Sequence, residues 1–380
     1  MKKYIVLLAS LLIQVCLGGI YAWSVFVPPL RDVYGLTTAQ TQLIFGAMLL
    51  SFTVMMILAG RLQDKFGPRI IAIVGGILFG SGYILASFSK GLFNLLLLDI
   101  GFISGAGIGF GYVCPLATCL KWFPNHKGII TGFAVAGFGS GAVILSSMVT
   151  IFLNNAIDVL RIFLWIGVIY GIIVICAAIF LFLPEKANKN LKTNNFTINN
   201  LFNEHSFWAL IIGMFTGTFA GLLIIGNLKP IGINNNIDIS YATMAISAFA
   251  IGNALGRILW GWFFDKFGSK TIPLSLILLG IVISSLLVNT INLIFVISSA
   301  LIGFCFGACF VIYAAQVAAK YGADKVGTIY PLVFLTYGIS GLLGPALGGW
   351  VFDVTTNYHI SIFIAAVFAG SGGILTWKLR

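Results

Sequence analysis

The sequence predicts an all-α membrane protein whose twelve transmembrane helices form two pseudo-symmetric six-helix halves. Three observations lead to this prediction. Of the 380 residues, 59% are hydrophobic and only 8% are charged, whereas a soluble domain carries about 25% charged residues. Apolar runs long enough to span a bilayer recur along the chain, separated by turn residues and charges. A ten-residue motif that follows the second run recurs after the eighth.

The apolar runs define the spans, each of which needs about 20 residues to cross the hydrocarbon core. The run after Met1-Lys2-Lys3 is too long for a signal peptide, so we expect it to be the first span, uncleaved. Helices are predicted over 4–27, 39–59, 70–88, 91–119, 128–152, 161–183, 206–228, 240–263, 271–289, 291–318, 326–351 and 359–377.

The positions of the basic residues predict the orientation. Of the 21 lysines and arginines, 16 lie at the termini or in the even-numbered gaps, 4 in the odd-numbered gaps and 1 inside a span. Because cytoplasmic loops are enriched in Lys and Arg, we expect both termini in the cytoplasm and the chain in the cell (inner) membrane. This scatter also argues against nucleic acid as the partner of a chain with net charge +11, since no basic patch could follow a phosphate backbone.

The repeated motif and a polar stretch predict the domain organisation. Residues 60–69 read G-R-L-Q-D-K-F-G-P-R, and residues 261–270 read G-W-F-F-D-K-F-G-S-K. The two copies are 201 residues apart, as expected for two parallel six-helix repeats. We predict an N-terminal half over 1–183, a cytoplasmic linker over 184–205 and a C-terminal half over 206–380.

The motif has two interpretations. It forms either a plain tight turn with solvated charges or a conformational latch, in which Asp64 and Asp265 meet helix N-termini or basic side chains across the halves. Its recurrence at the corresponding place favours the latch. The predicted latch residues are Gly60, Asp64, Lys65, Gly67, Arg69, Asp265, Lys266 and Gly268.

Two ionisable residues lie inside predicted spans, where such groups are expensive and usually functional. Arg257 presents a planar fork that suits a carboxylate, and Asn253 shares its helix face. Alternatively, Arg257 snorkels to the interface or forms a structural pair with Asp99. Asp99 itself is a candidate for proton coupling, for pairing with Arg257 in the empty state, or for a structural acceptor role.

Aromatic residues supply the other candidate substrate contacts, although many of the 33 phenylalanines must simply pack or face lipid. The buried hydroxyl of a tyrosine needs a partner, which makes tyrosines within spans informative. Tyr112 and Tyr313 are also related by the 201-residue offset, which suggests facing positions across the pseudo-two-fold axis. The aromatic candidates are Tyr21, Trp23, Tyr112, Phe306, Phe310, Tyr313, Tyr330 and Tyr337.

The sequence contains no pattern that indicates an enzyme. It contains no HExxH motif, paired carboxylates or nucleotide-binding loop. The six cysteines form no CxxC pair and show no zinc spacing. We therefore expect no catalytic residues, metal or cofactor. One cation among aromatic groups predicts a small organic anion as the substrate, carried by a monomer and accompanied in some mechanisms by protons.

The motif resembles the loop of the major facilitator superfamily, and further stretches resemble a narrower group within it. Four stretches are similar to the oxalate/formate antiporter family, a relative of the monocarboxylate transporters. They are residues 18–30, residues 105–115, the string K-W-F-P at 121–124 and the string A-G-F-G-S-G-A at 136–142. The resemblance implies secondary transport by rocking alternating access. It also implies that Arg257 binds the substrate carboxylate, with Asn253 where the monocarboxylate transporters have an acidic residue.

One departure from that family bears on the substrate. Oxalate carriers of the family have a lysine in helix 11, where this chain has Tyr337. Without a second cation the site favours a monocarboxylate such as lactate, pyruvate or formate. The alternatives are an oxalate/formate-type exchanger and a carrier of another solute, such as an amino acid or a drug.

Overall fold

The structure is a computed structural model that describes residues 2–184, 201–288 and 290–379. Within these ranges the chain is helical apart from short connections and contains no strand, which confirms the all-α prediction. The predicted linker over 184–205 falls mostly outside the described residues. The long helices are α1 (Lys2–Val25), α2 (Thr38–Phe66), α3 (Pro68–Ser87), α4 (Phe93–Trp122), α5 (Lys127–Asn154), α6 (Val159–Ala178), α7 (His205–Asn234), α8 (Ile239–Phe267), α9 (Thr271–Ser285), α10 (Asn292–Tyr321), α11 (Val326–Thr355) and α12 (His359–Leu379).

Eleven helical segments of the described chain are long and apolar enough to cross a membrane. One of them, Ile239–Ser285, has 47 residues and contains both α8 and α9. Gly268 separates these two helices with φ = +60°, a conformation that favours glycine. The twelve helices therefore agree with the predicted number of spans.

The helices that carry the motif are longer than predicted. α2 and α8 continue to Phe66 and Phe267, past the expected ends at 59 and 263. A 29-residue helix is about 43 Å long, whereas the hydrocarbon core is about 30 Å thick. Most of each motif is consequently the polar end of a helix, and only the turn at Gly67 (φ = +86°) or Gly268 is a loop.

Three helices contain irregular segments that sequence periodicity did not predict. α1 tightens into a 3₁₀ helix over Gly19–Val25, and α10 does so over Ala308–Phe310. α4 widens into a π-helix over Leu97–Ser104. Such segments break the regular spacing of side chains along a helix, and they contain Tyr21, Phe310 and Asp99 respectively.

The chain divides into two compact units. Unit 1 contains Met1–Pro124, Phe133–Leu191 and Tyr321–Leu332; unit 2 contains Asn125–Gly132, Lys192–Lys320 and Val333–Arg380. The first turns of α5 thus belong to unit 2, and the beginning of α11 belongs to unit 1. The predicted division into residues 1–183 and 206–380 stays a prediction.

Candidate functional site

Glycines bring α8 and α10 into backbone contact within unit 2. A Cβ added to Gly256 would lie 2.1 Å from the carbonyl oxygen of Phe304, and one added to Gly307 would lie 2.6 Å from that of Asn253. Neither position has room for a side chain, so glycine is what permits this approach. The contact places Arg257 of α8 beside the 3₁₀ segment of α10.

Arg257 is buried, with 3% of its surface exposed. Its Nε donates a hydrogen bond of 3.0 Å to Oδ1 of Asn253, one helical turn earlier. Its guanidinium carbon lies 4.6 Å from the centroid of the Phe310 ring, which is a cation–π contact. These two contacts orient the positively charged side chain. An oriented guanidinium can hold a carboxylate through two parallel hydrogen bonds.

Phe310 connects Arg257 to an aromatic cluster in unit 2. Its ring centroid lies 5.1 Å from that of Phe306 and 5.3 Å from that of Tyr337, both in edge-on geometry. Phe334 lies 5.0 Å from Tyr337 and completes the cluster. The structure thus brings together five predicted site residues: Arg257, Asn253, Phe306, Phe310 and Tyr337.

Tyr313 does not share this environment. Its hydroxyl lies 2.6 Å from the position that a Cβ on Gly213 would occupy, and the methyl group of Thr376 lies 2.8 Å from the same point. The side chain therefore points between α7 and α12. It makes no hydrogen bond or ring contact with Arg257 or with the cluster in the part of the chain that the structure describes. The 201-residue offset that relates Tyr313 to Tyr112 did not predict this direction. The 3₁₀ segment over Ala308–Phe310, just before Tyr313, breaks the regular spacing of side chains along α10.

A second aromatic cluster lies in unit 1. The Phe138 ring contacts Tyr21 at 5.5 Å and Tyr112 at 5.0 Å, and Phe52 packs on Tyr112 at 5.2 Å. Tyr21 is half-buried, whereas the other three side chains are buried. Phe52 and Phe138 were not predicted as site residues. Phe138 stands in the string G-F-G, and its flanking glycines are a signal that a single aromatic ring lies beside a close contact between helices.

Trp23 and Tyr330, also in unit 1, have different surroundings. The Trp23 indole donates a hydrogen bond of 2.9 Å to the carbonyl oxygen of Thr41 and lies parallel to Phe163, with 6.5 Å between ring centroids. These contacts indicate a packing role for Trp23. Tyr330 is fully buried near the start of α11.

Asp99 lies on the π-helical segment of α4 and is mostly buried, with 6% of its surface exposed. Its carboxylate forms no hydrogen bond or ion pair with any residue that the structure describes. Among those residues there is therefore no hydrogen-bond donor that would give Asp99 the structural acceptor role. Short π-helical segments within α-helices occur frequently at functional sites.

The aspartates of the two motif copies occupy equivalent places in the two units. In unit 1, Oδ2 of Asp64 accepts a hydrogen bond of 2.5 Å from the hydroxyl of Thr328, in the first turn of α11. In unit 2, Asp265 accepts hydrogen bonds from the backbone N–H groups of Gly128 and Ile129, in the first turn of α5. Each aspartate therefore ties its helix to the start of a helix that is distant in sequence.

The neighbouring motif residues have simpler surroundings. Lys65 lies over the ring of Phe66, and Lys266 lies over the rings of Trp262 and Phe267. Arg69 is exposed at the start of α3. Gly60 allows α2 to touch the carbonyl of Gly327 in α11, the counterpart of the contact between Gly261 and Gly128 in unit 2. Sequence reasoning did not name the partners, Thr328 and the N–H groups of α5.

Comparison with known proteins gives a consistent family. The family model described as Major Facilitator Superfamily matches residues 8–235 and 221–380. The chain is 25% identical to the oxalate:formate antiporter of Oxalobacter formigenes over 94% of this chain and 86% of that protein. It is 26% identical to monocarboxylate transporter 13 of Rattus norvegicus over 84% of this chain and 75% of that protein.

Among solved structures, the chain resembles the major facilitator superfamily transporter FucP in its outward conformation. The TM-score is 0.75, and the alignment covers 100% of both chains at 17% sequence identity. This likeness supports the predicted twelve-helix membrane fold. The chain is thus similar in fold and in sequence to transporters and not to enzymes.

Proposed function

This chain belongs to the major facilitator superfamily, and we propose that it is a secondary active transporter of small monocarboxylates such as lactate, pyruvate or formate. The observation that carries the proposal is the buried guanidinium of Arg257, oriented by Asn253 and Phe310. The names of the oxalate:formate and monocarboxylate relatives support the same substrate class.

The surroundings of Arg257 favour a single negative charge on the substrate. A monocarboxylate bound by the guanidinium would be neutralised by it. A dianion would place its second carboxylate among Phe306, Phe310 and Tyr337, where an unpaired ion costs several kcal/mol. Aromatic surfaces suit the short apolar part of a lactate or pyruvate molecule.

The transport cycle we propose is rocking alternating access, with Asp64 and Asp265 influencing the balance between states. Tyr21, Tyr112 and Phe138 form a second candidate surface for substrate. We further propose that the protein is a monomer in the cell (inner) membrane, with both termini in the cytoplasm, because the basic residues concentrate in the corresponding loops.

Radiolabelled counterflow in proteoliposomes tests this function. We expect wild-type protein to exchange lactate or pyruvate, and Arg257→Lys to retain little exchange, because an ammonium keeps the charge but loses the fork. Arg161→Lys is the matched control, since Arg161 is an exposed arginine that also lies over an aromatic ring, 5.8 Å from the Trp165 centroid. Wild-type exchange by Arg257→Ala would overturn the assignment of Arg257. Exchange of amino acids but not carboxylates would overturn the substrate class.

A further inference from the structure

A cavity of about 260 Å³ lies within unit 2, and it shares no residue with the cluster around Arg257. It is bounded by the first turns of α7 and α9, the last turns of α10 and the end of α12. These helix ends adjoin loops predicted to be cytoplasmic. Its lining includes Ser206, Ile272, Pro273, Gln316, Lys320 and Thr376.

The mouth of the cavity carries positive charge. Lys320 donates a hydrogen bond to the hydroxyl of Ser206, and its ammonium lies 3.8 Å from a carboxylate oxygen of Glu204. Lys270 is exposed beside the lining residue Ser269. Two lysines and one acid near the mouth leave a net attraction for anions.

One helix begins at the cavity and adds to this attraction. α7 begins directly after Glu204, whose side chain forms no cap with the helix. The free N–H groups of a helix start favour an anion.

Unsatisfied polar groups line or adjoin the interior of the cavity. Gln316, which is partly exposed, lines it and makes no side-chain hydrogen bond with any residue that the structure describes. Deeper in unit 2, the fully buried hydroxyl of Tyr313 likewise has no partner among the described residues, and it lies beside the lining residue Thr376. A buried hydroxyl without a partner, such as that of Tyr313, is uncommon in a folded chain. A polar ligand in the cavity would give Gln316 a hydrogen-bond partner.

Exposed tryptophans indicate the depth of the mouth. Trp208 is 42% exposed two residues after Ser206, and its indole donates to the carbonyl oxygen of Phe202 at 2.8 Å. Trp377 is exposed directly after Thr376. Tryptophans of this kind concentrate at the level of the lipid headgroups. We therefore expect the mouth to open at the level where a phospholipid presents its phosphate.

We propose that this cavity binds a phosphate group, supplied by the headgroup of an anionic glycerophospholipid. Lys320 exchanges Glu204 for the phosphate, Ser206 and Gln316 donate hydrogen bonds to the headgroup, and Ile272 and Pro273 contact its glycerol backbone. Basic pockets between helices on the cytoplasmic side suit such headgroups because the cytoplasmic leaflet holds anionic lipid.

The test is thermal unfolding of the purified full-length protein in dodecyl maltoside, titrated with dioctanoyl phosphatidylglycerol. Lys320→Gln should raise the half-saturating lipid fraction about ten-fold, as expected when one charge-assisted hydrogen bond is lost. Glu204→Gln should lower that fraction, because it removes the competing carboxylate. If the ion pair were merely structural, both variants would destabilise the protein without opposite effects on lipid binding.

Two further variants separate an effect on lipid binding from an effect on folding. Gln316→Leu removes an amide without a described partner, so the lipid-free unfolding temperature should hold while lipid binding weakens. Lys229→Gln, at the other end of α7, is the matched control and should bind lipid as the wild type does.

Comparison of three ligands decides whether the phosphate group comes from a lipid headgroup or from free phosphate. Dioctanoyl phosphatidylcholine should stabilise the protein less, and inorganic phosphate should do so only weakly. Inorganic phosphate that matches phosphatidylglycerol, with the same dependence on Lys320, would overturn the lipid source. Equal stabilisation by phosphatidylcholine would overturn the preference for anionic lipid. A phosphatidylglycerol response that Lys320→Gln and Glu204→Gln leave unchanged would overturn the site itself.

Discussion

Asp265 caps the start of α5 by accepting a hydrogen bond of 2.7 Å from the backbone N–H of Gly128, 137 residues earlier in the chain. The second carboxylate oxygen accepts from Ile129 at 2.9 Å. Both oxygens therefore face N–H donors at the positive end of a 28-residue helix. Among the residues that the structure describes, Asp64 accepts one hydrogen bond, from the hydroxyl of Thr328.

This difference predicts unequal effects of the same substitution. Asp265→Asn turns an NH₂ group towards an N–H donor, so it should slow substrate exchange about ten-fold, the cost of one charge-assisted hydrogen bond. Asp64→Asn keeps an oxygen for Thr328 and should slow exchange by a smaller factor. Exchange rates and equilibrium substrate binding, measured on the same preparations, check this prediction. A large loss of affinity at unchanged exchange kinetics would show that the aspartates act on substrate instead.

Tyr337 predicts the charge selectivity of the site. Tyr337→Lys introduces a second cation at the position 5.3 Å from Phe310, so oxalate should inhibit lactate uptake more strongly in the variant than in the wild type. Monocarboxylate affinity should fall, because a single carboxylate leaves one cation unneutralised. Tyr337→Phe is the matched control and should leave the ratio of oxalate to lactate inhibition unchanged. Strong oxalate competition in the wild type would contradict the monocarboxylate assignment.

Asp99 is the first candidate for proton coupling, because it is the acid embedded within a predicted span. Asp99→Asn should abolish accumulation of substrate driven by a pH gradient, while exchange of one anion for another continues at a similar rate. Uptake with and without an imposed gradient, compared with counterflow, measures both properties. An unchanged response to the gradient would remove Asp99 from the mechanism.

Tyr34 predicts a pH-dependent contribution to stability outside the spans. Its hydroxyl donates a hydrogen bond of 2.6 Å to Asp158, the N-cap residue of α6. Partial burial and this carboxylate raise the pKa of Tyr34 to about 12. A raised pKa in the folded state means that the neutral hydroxyl stabilises the fold at neutral pH, and that this contribution is lost as pH rises above about 10.

The variant Tyr34→Phe should therefore lower the thermal unfolding midpoint at pH 7 by a few degrees. Its difference from the wild type should shrink at alkaline pH. Tyr4→Phe is the control, since Tyr4 is 61% exposed and makes no hydrogen bond within the described chain. A constant difference between Tyr34→Phe and the wild type across the pH range would assign the effect to packing.

The candidate site was only partly predictable. A charge inside an apolar run is visible in any sequence, so Arg257 could be singled out before the fold was known, and Asn253 followed from helical spacing. Phe310 and Tyr313 were both predicted as substrate contacts, yet Phe310 packs against the guanidinium of Arg257 and Tyr313 points towards Gly213. The 3₁₀ segment over Ala308–Phe310 separates them, and no periodic pattern indicates where a helix will tighten.

By itself, the sequence determined the number of spans, the helical class and the family, because apolar length and motif spacing are local properties of the chain. Only the tertiary structure decided which partners the chosen residues meet. The contact of Asp265 with Gly128 joins residues 137 positions apart, and the cavity beside Lys320 is formed by four helices. Such contacts depend on the rotation and close approach of whole helices, which glycines such as Gly256 and Gly307 permit but do not specify alone.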